Sequence, residues 1–194
     1  MDNYDKFEQI IRSNKTIMKI LEELSNYSLK NDFNNYYLTA GCVCQTIINY
    51  LHGYDLNNNI NDYDIVYYDE DTSYEKEDKI IKDLSKLFNV SVDIKNQARV
   101  HLWYNSKYHV NYAAYKSVEE AISTWCSTMS CIGIRLENGE LVIYSPYGLD
   151  DLFNMRVVPV KKRFDKDSYD EKVKRWKRNW NKLEIIEWEE IWKL

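Results

Sequence analysis

The chain has 194 residues, of which 44% are apolar and 29% charged, and its formal net charge is −5. That length predicts one domain with a sizeable core, and the composition excludes a disordered chain. No apolar run approaches the roughly 18 residues of a membrane span, and the acidic start Met1-Asp2-Asn3-Tyr4-Asp5 does not read as a secretory leader, so the expected location is cytoplasmic with no membrane partner.

Charge is unevenly spread. Residues 1–78 hold 6 basic and 15 acidic side chains, whereas 156–194 hold 12 basic and 8 acidic. Affinity for a phosphate backbone comes mainly from Lys and Arg. General DNA binding is therefore not expected, and the basic end leaves room for a local anion site only.

In chain order, Phe7, Ile10, Ile11, Ile17, Ile20, Leu21 and Leu24 recur at three- and four-residue spacing and predict one or two amphipathic helices over 4–29. Tyr36-Tyr37-Leu38-Thr39 reads as a short strand ending at Ala40-Gly41. Val43, Ile47, Ile48 and Leu51 restore helical spacing, and His52-Gly53 ends that helix. Asp62–Tyr68 has strand composition, 75–87 reads as a charged helix, and 90–94 and 99–104 read as strands. Ser117-Val118-Glu119-Glu120 is a capping box that opens a helix to about Trp125. Segments 132–136 and 141–144 flank Glu137-Asn138-Gly139-Glu140 as a hairpin. Helices are expected over 149–154 and 169–179, and Trp188 and Trp192 suggest a helix that docks through one stripe. Early alternation followed by a hairpin predicts a mixed α/β or α+β sheet. Cys42, Cys44, Cys126 and Cys131 show neither the usual zinc spacing nor a nearby His, and are expected to be reduced structural thiols.

Asp62 and Asp64 are the sharpest feature. Side chains at i and i+2 of a strand share a face, so two carboxylates stand about 7 Å apart at the backbone. Such a pair repels itself unless a cation compensates. Hard oxygen donors suit Mg²⁺ or Mn²⁺; a solvated edge or turn is the plain alternative. Gly41 adds weight. A strand, a glycine turn and a helix start present free N–H groups and the positive end of a dipole to a phosphate, with no Cβ in the way.

Ala40-Gly41-Cys42-Val43, Leu51-His52-Gly53 and Asp62-Tyr63-Asp64-Ile65 together resemble the nucleotidyltransferase superfamily of DNA polymerase β. Their spacing is most similar to the tRNA-nucleotidyltransferase branch. The blocks Asn96–Tyr104 and Pro146–Leu152 resemble a group of uncharacterised bacterial nucleotidyltransferase-like proteins. The resemblance implies an α+β nucleotidyltransferase sheet with Asp62 and Asp64 as Mg²⁺ or Mn²⁺ ligands. It also implies a third carboxylate from a neighbouring strand, for which Asp93 is the candidate, and an NTP held by Gly41 and Cys42. Cys42 stands where the superfamily usually has Gly or Ser, and Cys44 where the tRNA branch has a basic residue.

If 99–104 is a strand, Arg99, His101 and Trp103 share one face, where Arg99 meets a phosphate, His101 binds or relays a proton and Trp103 stacks on a base. The plain alternative is a structural polar face with Arg99 paired to an acid such as Asp93. Asp150-Asp151 reads as a helix cap and first turn. Residues 156–182, with 11 basic and 4 acidic side chains, read as a platform for a phosphate-bearing acceptor or, more simply, as a solvated helix with Trp176 and Trp180 on its core face.

The expected organisation is a nucleotidyltransferase-like domain over 1–155 and a basic, Trp-rich helical extension over 156–194. The expected reaction moves a nucleoside monophosphate from an NTP to a hydroxyl of an RNA, a protein or a small molecule. A non-catalytic binding module on the same fold is the alternative. A haloacid-dehalogenase-like phosphatase ranks third, because Ile65-Val66 follow the Asp-x-Asp and a glycine turn and helix precede it.

Overall fold

The computed structural model describes residues 2–190. Its elements are α1 (Asn3–Ser13), α2 (Lys15–Lys30), β1 (Tyr36–Thr39), α3 (Gly41–His52), β2 (Tyr63–Tyr67), α4 (Tyr74–Ser85), β3 (Val92–Asn96), α5 (Val100–Tyr108), α6 (Val118–Ile122), β4 (Gly133–Glu137), β5 (Glu140–Tyr144), α7 (Asp150–Phe153), β6 (Arg156–Val157), α8 (Lys166–Asn179) and β7 (Glu184–Ile185). No described helix is long and apolar enough to cross a membrane.

Asn14 divides the N-terminal helical stretch in two. Its backbone is extended, its Oδ1 accepts from the N–H groups of Thr16 and Ile17, and its buried Nδ2 donates to Thr46 Oγ1 of α3 at 3.1 Å. A capping asparagine thus closes one helix, opens the next and pins both to a third.

Five strands form one mixed sheet in the order β3-β2-β1-β4-β5. β2 and β3 run parallel, and the other neighbours are antiparallel. Tyr36, Leu38, Tyr63, Ile65, Tyr67, Ile94 and Ile134 face the main core with the apolar stripes of α1 to α4. Tyr37 and Val66 face a smaller cluster with Val118, Ile122, Cys131 and Val160. Gly133 permits that second packing, since a Cβ there would lie 2.8 Å from Ile122 Cδ1 and 2.9 Å from the Tyr37 ring. This is the expected α+β architecture, a mixed sheet flanked by helices.

α8 is bound into the main core. Tyr169, Trp176 and Trp180 are fully buried there, Trp180 Nε1 donates to Asn49 Oδ1 of α3 at 2.7 Å, and the Tyr169 hydroxyl bonds to the Val157 and Ile186 carbonyls.

Two expectations are corrected. Residues 99–104 are not a strand: a 3₁₀ turn over Gln97–Arg99 leads into α5. Asn96 causes the switch, its Oδ1 accepting from Ala98 N–H at 3.0 Å and opening a helical turn. Trp188 does not sit on a docking helix. It follows β7 and packs its ring on Tyr169 at 5.7 Å between centroids, while Trp192 lies outside the described residues. All four cysteines are free and buried.

Candidate functional site

The site grows from one junction. β1 ends at Thr39, Ala40 turns the chain, and α3 starts at Gly41. Ala40 has φ +58° and ψ −132°, a conformation that normally requires glycine. No side chain caps the N-terminus of α3. Its first N–H groups therefore have no side-chain acceptor and stand at the positive end of the dipole. Gly41 itself is free of strain; a Cβ there would meet only Gln45, at 3.4 Å.

The strand register brings the acids to this junction. Thr39 pairs with Asp64 across the antiparallel ladder, and Asp64 pairs with Asp93 across the parallel one. Asp64 and Asp93 therefore stand side by side on one face. Asp62 lies one residue before β2. Burial pushes the Asp64 carboxyl up to about 7, with the charges of Asp62 and Asp93 adding to it and Lys172 and Lys95 opposing. A partly buried carboxylate between two others is a poor place for negative charge and a good place for a cation.

Ala40, Gly41, Asp62 and Asp64 line a cleft of about 420 Å³. Trp103, Tyr104, Tyr115 and Trp125 form an aromatic wall, and Arg163, Lys172 and Arg175 contribute positive charge from the basic segment. That volume and mix of apolar wall with few charged groups is typical of small-molecule sites. Arg163 is locked in place, its guanidinium 3.8 Å from the Tyr115 ring centroid and donating to the Ala113 carbonyl at 2.7 Å.

The structure separates the other sequence candidates. Asp93 is not part of the cleft wall; its carboxylate is paired with Lys95, which is. Among the described residues, no three His, Cys, Asp or Glu side chains are gathered as a metal-holding group. Cys42 is buried, its thiol donating to the Thr39 carbonyl and pushed well above its ordinary pKa by burial. Its side chain therefore cannot reach a ligand, and only its backbone is available.

Arg99 and His101 are corrected more fully. Arg99 pairs with Glu77 and lies over the Tyr74 ring, away from the cleft. His101 is half-buried on α5, outside the cleft, with Nδ1 unpartnered among the described residues. The strand alternation that put them beside Trp103 does not exist. Asp150 and Asp151 occupy the first turn of α7, bonded to Asn3 and Thr128 respectively.

Residues 28–185 match a nucleotidyltransferase family. The chain belongs to that family. The nucleotidyltransferase is also similar to a solved structure described as a CCA-adding enzyme head domain, with a TM-score of 0.78 and 24% identity over 95% of this chain and 96% of that one. That likeness is one of fold. No curated protein matches the chain.

The nucleotidyltransferase carries features at this site that its sequence did not mark. Lys172 brings an ammonium from α8 into the cleft that Asp64 lines, and Cys44, where a basic residue is expected, lies buried. Lys95 was missed because the strand was read to end at 94; β3 runs on to Asn96, so Lys95 shares a face with Asp93 two residues back and pairs with it. Among the sequence signals, only the excess of basic residues over 156–182 pointed toward Lys172.

Proposed function

We propose that this nucleotidyltransferase moves a nucleoside monophosphate from an NTP to a hydroxyl acceptor, releasing pyrophosphate. The observation that supports it most is the meeting of Asp62, Asp64 and the uncapped N-terminus of α3 in a single cleft.

The donor set fits a hard divalent cation. Asp62 and Asp64 offer carboxylate oxygens, and the upward push on Asp64 is the strain that such an ion relieves. Mg²⁺ or Mn²⁺ held there supplies charge neutralisation on the phosphates. The protein's own groups do the rest. The backbone N–H groups of Gly41 and Cys42 bind phosphate oxygens, and the aromatic wall takes the base by stacking. Asp93, once released by Lys95, accepts the proton of the attacking hydroxyl and adds a third carboxylate beside the ion. The chemistry is then positioning and electrostatic stabilisation of an in-line displacement.

One observation favours a second reading, a nucleotide-binding module without catalysis: Asp93 is engaged by Lys95 rather than turned to the cleft. Transfer of α-phosphate label from each NTP to RNA, protein and small-molecule acceptors, with Mg²⁺ or Mn²⁺, separates the two. The transfer reading expects labelled acceptor, lost in Asp62→Asn and Asp64→Asn. Tight metal-dependent NTP binding with no transfer to any acceptor supports the module, and absence of NTP binding overturns both.

A further inference from the structure

We propose that Lys172 of α8 is a phosphate-binding residue that grips the β- and γ-phosphates of the NTP; this rests on the function proposed above. Lys172 lines the cleft together with Gly41, Asp64, Arg175 and Trp176. It forms no ion pair among the described residues, unlike Lys95 in the same cleft. Its ammonium lies 5.2 Å from the Trp176 ring centroid.

An ammonium that lines a ligand-sized cleft and has no paired carboxylate is matched by an anionic ligand. Arg163 and Arg175 add positive charge to the same cleft, and a phosphate oxygen gives the Lys172 ammonium the charge-assisted partner it lacks.

The number of phosphates provides the test. Calorimetric titration of the full chain with Mn²⁺ compares a nucleoside tri-, di- and monophosphate on wild type, Lys172→Met and Lys172→Arg. Wild type is expected to bind more tightly with each added phosphate. Lys172→Met should lose about 10–100-fold for the triphosphate, the range for one charge-assisted bond, and stay within twofold for the monophosphate. Lys172→Arg should hold the triphosphate within a few-fold of wild type.

A triphosphate affinity unchanged in Lys172→Met overturns the assignment, as does an equal loss for all three nucleotides, which marks a structural role. Lys172→Gln replaces the Met variant if thermal unfolding shows the latter is not folded. If wild type binds no nucleotide, the function proposed above fails and this inference fails with it; if wild type binds and the variant matches it, only the inference fails.

Discussion

Ala40→Gly is expected to make this protein more stable, against the general rule that glycine destabilises. At φ +58° and ψ −132°, the Ala40 Cβ crowds its own backbone. A non-glycine residue held in such a region costs about 1–3 kcal/mol. Glycine removes that cost but loses about 0.5–1 kcal/mol through the greater freedom of the unfolded chain. The two ranges leave a net gain of about 1.3 kcal/mol at their middles and at most about 2.5 kcal/mol. At about 2–4 °C per kcal/mol for a chain of this size, the middle value raises the midpoint by roughly 3–5 °C. Thermal unfolding followed by circular dichroism measures it, and a urea titration should show a higher midpoint with unchanged slope. A midpoint equal to or below that of wild type would show that the turn is not strained and that the geometry at the start of α3 has been misread.

Asp64→Asn should stabilise the metal-free protein at pH 8 by up to roughly 4 kcal/mol, the equivalent of a carboxyl moved from 3.8 to about 7. The folded protein holds this proton more tightly than the unfolded chain. Its stabilising effect is therefore present below pH 4 and lost as pH rises to about 7, so the two proteins should converge in acid; a gap constant with pH in chelated buffer refutes this. Gly133→Ala should cost about 1–3 kcal/mol, because its Cβ meets Ile122 and the Tyr37 ring below 3 Å; a urea midpoint within error of wild type would mean that α6 moves freely. Asn49→Leu strands the Trp180 indole and the Leu56 and Asn58 carbonyls, and should cost about 2–4 kcal/mol; a loss below 1 kcal/mol in the same assay counts against that network.

Much of the chain was readable because its signals are local. The helices at 4–29 and 41–52 follow from apolar spacing, and the end of α3 from Gly53, which sits at φ +72° where L-residues rarely go. The convergence of Asp64 and Asp93 was legible in part: each reads as a strand aspartate, but only the parallel register sets them side by side. The failure at 99–104 has a physical cause. α5 buries none of its residues fully, so it carries no apolar stripe for a helical period to show, and chance alternation imitated a strand. The capping box at Ser117 was displaced by one residue for a similar reason. The Glu120 carboxylate accepts from Lys116 N–H rather than from Ser117 itself, a choice made by side-chain reach. Lys172 lay beyond any local reading, because its meaning depends on a helix packed against elements formed more than a hundred residues earlier.

That packing orders events during synthesis. One wall of the cleft is in place once β2 has formed, but the wall carrying Lys172, Arg175 and Trp176 belongs to α8. Roughly 100 residues separate the two, or roughly 5–20 s of translation. Throughout that interval a nascent chain displays its acids with no opposing surface to enclose a nucleotide. The site therefore closes only once α8 has been made, and Trp180 reaching Asn49 is the contact that completes it.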